Sequence, residues 1–258
     1  MTPLINVTLP VFNEAAQLAQ SVRRVLAFLS GQAQWRWEVV IADNGSTDGT
    51  REIAGEVQKL EVRSQKSEVR SQRPEPAILL RVVHLDQAGR GRALKAVWLA
   101  SEAEVLSYMD VDLSTDLAHL PELIGGVAEG RADLALGSRL LPASRTTRGW
   151  KRELLSRGYN WLLHRVLGLR VADAQCGFKA IRREAARGLL PQVTDHGWFF
   201  DTELLVRAQR AGYRIAEVPV QWGDDLGSTV RLLPTVSGDL KGVWRLRRGS
   251  QPASRPDS

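Results

Sequence analysis

"WEVVIADNGSTDGTREIAGEV", residues 37–57, reads as one complete strand–turn–helix unit. Its first seven residues form an apolar, β-branched run. Asp43 to Gly49 then supply Asp, Asn, Gly, Ser and Thr, residues that turn a chain and cap a helix. Ile53, Val57 and Leu60 follow at helical spacing. The same alternation recurs on both sides. "LINVTLPV" (4–11) reads as a strand, and residues 14–29 place Leu18, Val22, Val25, Leu26 and Leu29 on one helical face. "AILLRVVHL" (77–85) is a third strand, a helix follows over 92–103, and "EVLSYMD" (104–110) is a fourth strand. A helix near 117–129 and a strand "ADLALGS" (132–138) come next. Strands alternating with helices predict an α/β fold with a mostly parallel, doubly wound sheet. Ligands of such sheets bind outside the carboxyl ends of the strands. The polar clusters after residues 10, 42, 85 and 109 all fall at those ends.

One stretch breaks the pattern. "EVRSQKSEVRSQRPEP" (61–76) holds EVRSQ twice and ends in prolines. It is expected to be an exposed insertion, with a short extension of the preceding helix as the alternative. The tail 249–258 is expected to be disordered.

The composition is that of an ordinary globular chain, 43% hydrophobic and 25% charged over 258 residues. "MTPLINVTLPVFNE" has neither a basic nor an apolar leader segment, so no signal peptide is expected. No apolar run approaches 18 residues, so no spanning helix is expected. A single cysteine, Cys176, excludes an internal disulfide and fits a cytoplasmic setting. The net charge of +6 is concentrated. Between Arg139 and Arg170 lie eight Lys or Arg (Arg139, Arg145, Arg148, Lys151, Arg152, Arg157, Arg165, Arg170) against one acid, Glu153. Such a window suits an anionic partner: nucleic acid, a phosphorylated lipid or a membrane surface. A merely solvated helix face is the plain alternative.

"YMDVDLSTD" (108–116) crowds three carboxylates within seven positions at the end of an apolar run. Each opposes ionisation of the next, so either a solvated loop or a bound positive charge is expected there. Asp110 and Asp112 leave the strand on alternate residues and can turn toward one hard cation, Mg²⁺ or Mn²⁺. Asp116 reads better as a helix cap. "ADNGSTDGT" (42–50) reads as a turn with a cap, or as a carboxylate facing a base or ribose. "DQAGRGRALKA" (86–96) is a Gly-rich turn whose backbone and Arg90 can face a phosphate. The four histidines show no metal-ligand spacing.

Together, "LPVFNE" (9–14), "ADNGSTDGT" (42–50), "GRGRAL" (89–94), "DVD" (110–112) and "GSR" (137–139) resemble family 2 glycosyltransferases. "DAQCGFKAIRREAA" (173–186), "WFFDTELLVRAQRAGYRIAEVPVQW" (198–222) and "GS" (227–228) resemble that family's polyprenyl-phosphate branch. The branch includes dolichol-phosphate mannose synthases and dolichol-phosphate glucosyltransferases. The resemblance implies a GT-A fold: a Rossmann-like, mostly parallel sheet flanked by helices, with C-terminal helices on the acceptor side. It implies one domain over 1–248, with a nucleotide-sugar half to about residue 140 and an acceptor half beyond.

The resemblance also implies roles. Pro10, Phe12 and Glu14 would line the nucleotide pocket, Asp43 would hold the base or ribose, and Arg90 would lie near the nucleotide. Asp110 and Asp112 would bind Mg²⁺ or Mn²⁺ bridging the sugar-nucleotide diphosphate. Ser114 stands where relatives often carry a further polar ligand. Arg139 and Arg152 would approach the acceptor phosphate, with Asp173, Gln175 and Lys179 alongside. The implied reaction is inverting transfer of a hexose from a GDP- or UDP-sugar to a polyprenyl phosphate. It would take place on the inner face of the membrane, with a membrane-protein partner left open. A phosphate monoester is already anionic near neutral pH and needs cations more than a base. A hydroxyl acceptor would need a base, with Asp201 and Glu203 as the candidates. Residues 235–248 place Val236, Leu240, Val243 and Trp244 on one face among basic residues, as in an interfacial helix. The pI near 9.9 keeps a nucleic-acid-binding protein as an alternative of another class. No nucleic-acid reader motif supports it.

Overall fold

A computed structural model describes residues 2–69, 78–147, 149–223 and 232–248, without the side chains of 64–69, 151–152 and 232–238. A seven-stranded sheet forms its centre. In chain order the strands and helices begin β1 (Leu4–Val11), α1 (Leu18–Ser30), β2 (Arg36–Asn44), α2 (Thr50–Val69), β3 (Leu79–Leu85), α3 (Arg90–Ala100) and β4 (Val105–Met109). Next come α4 (Leu120–Ala128), β5 (Leu134–Ser138), β6 (Arg145–Thr147), α5 (Trp150–Leu167) and β7 (Phe178–Arg182). The chain continues with α6 (Arg183–Leu189), α7 (Phe200–Arg210), β8 (Ile215–Pro219), β9 (Gln221–Gly223) and α8 (Leu232–Arg248). The sheet order is β3-β2-β1-β4-β7-β5-β8. β7 is antiparallel to both neighbours, and every other pair in this sheet is parallel. β6 and β9 form a separate parallel pair.

The central strands are buried on both faces, as in a sheet covered by helices on both sides, with Asn6, Thr8 and Ser107 as buried polar exceptions to the apolar pattern. Along β2, Val39 and Ile41 enter one core with α1, α2 and α4, while Val40 and Ala42 enter the other with α3, α6 and α7. The chain runs outward from β1 through β2 to β3, then returns to place β4 on the other side of β1. This reversal opens a crevice at the carboxyl ends of β1 and β4, where open α/β sheets bind ligands. Pro10 to Glu14 leave β1 there, and Asp110 to Asp112 leave β4 there.

Several elements depart from the sequence expectation. The helix expected from residue 14 begins at Leu18, because Asn13 adopts a left-handed backbone (φ 58°) and residues 14–17 form a turn. The helix near 117–129 divides into a 3₁₀ turn, Leu117–His119, and α4. Asp116 caps that turn, its Oδ1 accepting from the Ala118 N–H at 2.9 Å. The repeat does not begin as a loop: α2 continues through its first copy to Val69. Residues 70–77 and the tail 249–258 lie outside the described residues. In α8, Val243 turns inward with Leu246, while Leu240 and Trp244 stay exposed. The expected single apolar face is therefore split, and the Val236 side chain is not among those described.

α3 presses closely on α7. A Cβ added at Gly91 would lie 2.6 Å from Phe200 Cβ and 2.8 Å from its ring. Gly91→Ala should lose about 1–3 kcal/mol of stability in urea unfolding, because overpacking outweighs the helix propensity of Ala. A gain of stability would show that this contact relaxes freely.

Candidate active site

The loops after β1 and β2 are laced to each other. Asn13 N–H donates to Ser46 Oγ at 3.0 Å, and Asn13 Oδ1 accepts from Thr47 N–H at 2.8 Å. Glu14 N–H donates to Thr50 Oγ1 at 2.8 Å, and Ala15 N–H to Asp48 Oδ2 at 3.2 Å. Ser46, Thr47, Asp48 and Thr50 thus hold the first loop in shape, presenting a half-exposed Phe12 (46%). Pro10 sits partly buried at the carboxyl end of β1.

Asp43 is fully buried. Its carboxylate accepts from Ser46 N–H and Arg51 Nε and meets His84 Nδ1 at 3.1 Å. Burial opposes the charge, but these bonds hold the carboxyl below its usual range. Asp43 therefore ties the end of β2 together rather than projecting from it. Beside it, Asn44 Oδ1 is buried without a hydrogen-bond partner. Gly45 (φ +78°) brings its backbone against Gln87 and Ala88, in the loop that enters α3.

Asp110 and Asp112 flank a tight turn. Leu113 takes a left-handed backbone (φ 52°), uncommon for a branched residue. Its N–H donates to Asp110 O at 3.2 Å, and Ser114 N–H donates to Asp112 Oδ1 at 2.9 Å. The Asp110 carboxylate lies across Gly177. A Cβ there would fall 1.8 Å from Asp110 Oδ2, so only glycine leaves the acid room. Burial raises the Asp110 pKa, with Asp112 and Asp201 adding to the rise and Arg90 and Lys179 opposing it. Burial likewise raises Glu14, with Asp112 and Asp110 contributing. The crevice thus gathers three carboxylates, Glu14, Asp110 and Asp112, of which Asp110 meets Arg90 at 3.5 Å. Among the described residues no three His, Cys, Asp or Glu side chains form a complete metal cage. Two carboxylates with the rest of the shell left to phosphate and water suit Mg²⁺ or Mn²⁺. The Gly177 cradle and the acid surplus therefore fit such an ion.

Arg90 does not reach outward to a phosphate. It is 8% exposed, and its Nη2 lies 2.7 Å from Tyr108 Oη, 3.2 Å from Asp201 Oδ2 and 3.5 Å from Asp110 Oδ1. Its guanidinium stacks on Tyr108 (4.9 Å) and on the half-exposed ring of Trp198 (5.0 Å). Lys179 is also turned inward. β7 sets it opposite Tyr108 in the middle of the sheet, 1% exposed, with Nζ 2.6 Å from Cys176 O and 3.1 Å from Asp201 Oδ1. The expectation that Lys179 binds the acceptor therefore gives way to a place in a buried ion cluster. Cys176 is packing, with burial pushing its thiol up to about 12.

Arg139 leaves β5 and clasps Asp173 in a fork, Nε–Oδ2 at 2.7 Å and Nη2–Oδ1 at 2.9 Å. The Asp173 carboxylate also accepts from the Arg139 N–H, and the guanidinium lies 5.6 Å from the Trp222 ring centre. Its planar fork is thus held by protein on one edge. Arg152 falls in the first turn of α5, with its side chain outside the described set. Gln175 Nε2 lies 3.4 Å from Asp239 Oδ2 on α8. Neither base candidate is free to act. Asp201 is held by Tyr108, Arg90 and Lys179, and Glu203 by Arg207, Arg245, Thr194 and the Asp195 N–H. Glu203 is fully buried, yet these partners keep its carboxyl below the usual range against the effect of burial.

Sequence reasoning passed over Tyr108, Trp198, Trp222 and Gly177. All four lay inside quoted motifs, but nothing in a linear motif tells which residue makes room for an acid.

A sequence model of the glycosyl transferase family 2 matches residues 7–190. The chain is 39% identical over 251 residues to glycosyltransferase AglD of Haloferax volcanii, covering 94% of this chain and 37% of that protein. It is 30% identical to dolichyl-phosphate beta-glucosyltransferase ALG5C of Trichomonas vaginalis, covering 90% of this chain and 66% of the relative. The chain therefore spans little more than a third of AglD and about two thirds of ALG5C. Among solved structures, glucosyl-3-phosphoglycerate synthase from Mycobacterium tuberculosis, in complex with Mn²⁺, UDP and glucosyl-3-phosphoglycerate, aligns with a TM-score of 0.64. Identity there is 22%, over 99% of this chain and 82% of the other, and shows a shared GT-A fold.

Two outcomes test the site's buried charges. Lys179→Met should cost about 3–5 kcal/mol in urea unfolding, since it strips a buried acid of a partner. A stable variant with weakened lipid-phosphate affinity would return Lys179 to the acceptor. Burial pushes Asp239 up to about 6, with Tyr159 opposing and Asp195 adding to the rise. Its folded pKa exceeds the unfolded value near 3.9, so its stabilising contribution is present below about pH 4 and is lost as pH rises through about 6. Asp239→Asn should flatten unfolding free energy across that window in a pH series.

Proposed function

The chain belongs to glycosyl transferase family 2, and from that premise we propose that it transfers glucose from UDP-glucose to a polyprenyl phosphate at a membrane surface. The observation that carries the reading is the pair Asp110 and Asp112 at the β1–β4 crevice, one of them seated over Gly177. Relatives named dolichyl-phosphate beta-glucosyltransferase support a lipid phosphate acceptor and favour glucose over the mannose alternative. The fold neighbour solved with Mn²⁺, UDP-glucose and phosphoglyceric acid supports a UDP donor and a divalent cation.

In this reading Asp110 and Asp112 would hold Mg²⁺ or Mn²⁺. When bound, the ion supplies charge to the departing diphosphate as a Lewis acid. Pro10, Phe12 and Glu14 border the nucleotide on the β1 side, and Asp43 fixes the end of β2 on which the base would rest. One bond forms, from an acceptor phosphate oxygen to sugar C1, and one breaks, from C1 to the diphosphate oxygen. Displacement from an α-linked donor gives a β product, in keeping with inversion. No proton needs to leave the acceptor, since a phosphate monoester sheds its second proton near pH 6. The engagement of Asp201 and Glu203 supports this acceptor over a hydroxyl, which would require a base. Arg139, fixed by Asp173, and Arg152 are the proposed acceptor-side cations, with Gln175 beside them. Among the described residues no helix is long and apolar enough to cross a membrane. Peripheral attachment to the cytoplasmic face, with or without a membrane-protein partner, belongs to the same proposal.

Purified protein should transfer from UDP-glucose in preference to GDP-mannose or UDP-GlcNAc onto a short polyprenyl phosphate, in a Mg²⁺- or Mn²⁺-dependent way. Asp110→Ala and Asp112→Ala should each lower kcat by about 100-fold or more, the scale of losing a preorganised contact to developing charge. Circular dichroism should show both variants folded. Full activity of both in chelator would remove the metal from the scheme.

A further inference from the structure

"GWFFDTELL" (197–205) sets three aromatic residues in a row, and the fold treats them differently. Phe199 and Phe200 turn into the core, 2% and 0% exposed, while Trp198 stays 53% exposed. An indole left in water beside two buried rings gives up the stabilisation that burial would bring.

The loop that presents this ring is held along its length. Lys95 Nζ donates to Val193 O at 2.7 Å, and Thr194 Oγ1 and Asp195 N–H donate to the Glu203 carboxylate at 3.2 and 2.9 Å. Gly197 N–H donates to Asp195 Oδ1 at 2.8 Å. Arg92 N–H donates to His196 O at 3.2 Å, and a Cβ at Gly89 would lie 2.5 Å from that same oxygen. Residues 193–197 are thus fixed to α7 and to the first turn of α3. A side chain on so rigid a loop is placed before any ligand arrives.

The ring stands beside the acids of the crevice. The Arg90 guanidinium lies 5.0 Å from the Trp198 ring centre, and its Nη2 lies 3.5 Å from Asp110 Oδ1. Arg90 also meets Tyr108 on β4 and shares Asp201 with Lys179 on β7. The indole therefore belongs to the β4–β7 side of the crevice. Asp43 lies at the end of β2, two strand spacings or about 10 Å from β4. A nucleotide sugar with its base at β2 and its diphosphate at the β4 acids brings its sugar, not its base, to Trp198. The chemistry matches. A pyranose with equatorial hydroxyls is apolar on its flat faces, where axial C–H bonds point outward. Those weakly positive hydrogens suit the negative face of an aromatic ring. Arg90 takes one face of the indole, and among the described residues no other ring or cation is stacked on it.

We propose that Trp198 is the stacking platform for the transferred hexose, seating the pyranose face beside Asp110. The platform deepens the proposed function, on which it rests for a nucleotide-sugar donor.

Calorimetric titration of the full chain in Mn²⁺, with UDP and with UDP-glucose, separates the sugar from the rest of the donor. Trp198→Ala should weaken UDP-glucose binding by about five- to tenfold, the scale of an aromatic stacking contact, and leave UDP binding within about twofold of wild type. Trp198→Phe, which keeps a ring there, should restore most of the loss. Equal losses for UDP and UDP-glucose would overturn the platform, because they would show the ring merely shielding Arg90 beneath it. Unchanged UDP-glucose affinity would overturn it too, as would a loss confined to polyprenyl phosphate, which would give the ring to the acceptor. If the expected sugar-specific loss is seen but wild type transfers nothing to polyprenyl phosphate, the proposed acceptor fails and the platform stands. A wild type that binds neither UDP nor UDP-glucose would defeat both.

Discussion

Everything at this site depends on how a sheet tolerates acids at its buried end. Arg90 provides the means: held in the first turn of α3, it lies between Asp110 and Asp201 with its fork against Tyr108. Lys179 reaches Asp201 from the strand next to β4. Two cations and two acids thus share one cluster, dry around Arg90, Lys179 and Asp201, where unpaired charge would be untenable, and open to the crevice at Asp110. The cluster is balanced for Asp201 and only partly for Asp110, which also faces Asp112 and Glu14. The shortage of positive charge therefore falls at the outer edge of the cluster, on the open side of the crevice. The protein's own cations neutralise the inner acid and leave the outer ones to a ligand.

The strand–helix alternation was legible because its signals are local. The β-branched run at 37–43 and the turn that follows it need no tertiary context. The carboxyl ends of the strands as the place for a ligand followed from the same reading, but the switch point between β1 and β4 came only with the strand order; the capping role of Asp116 was legible in its own loop. Side-chain direction was not legible. Arg90 read as a phosphate ligand from its Gly-rich turn, and Lys179 as an acceptor-side residue from the resemblance, yet both point into the sheet. Asp201, ninety-one residues after Asp110 in the chain, meets both of them and makes that tolerable. The pairing of Arg139 with Asp173 was hidden for the same reason. α8 misled through geometry: Val243 stands at the border of the outward sector, and packing with the core captured it.

The turn after β2 shows how bland and functional readings can both hold. Asp48 does turn the chain, its Oδ1 accepting from the Thr50 N–H, as composition suggested, and Ser46, Thr47, Asp48 and Thr50 also bond elsewhere. Their partners belong to another loop, however, thirty-three to thirty-six residues away. The lacing fixes Phe12 and Glu14 at the mouth of the crevice before any ligand arrives. Preorganisation of this kind reduces the ordering that binding would otherwise require.

The antiparallel strand β7 carries a further consequence, for how the chain acquires its shape. β4 pairs on one side with β1, but its other edge waits for Phe178–Arg182, about seventy residues later. β5 cannot join the sheet except through β7 and β8. During synthesis, a growing chain of 140 residues would present β4, buried along its whole length in the folded protein, as a bare and largely apolar edge, the kind that seeks other chains. Such long-range closure also slows folding. The boundary between a donor half and an acceptor half is therefore one of chemistry only; in biogenesis the two halves form a single cooperative unit, completed when its seventh strand is threaded between the fourth and fifth.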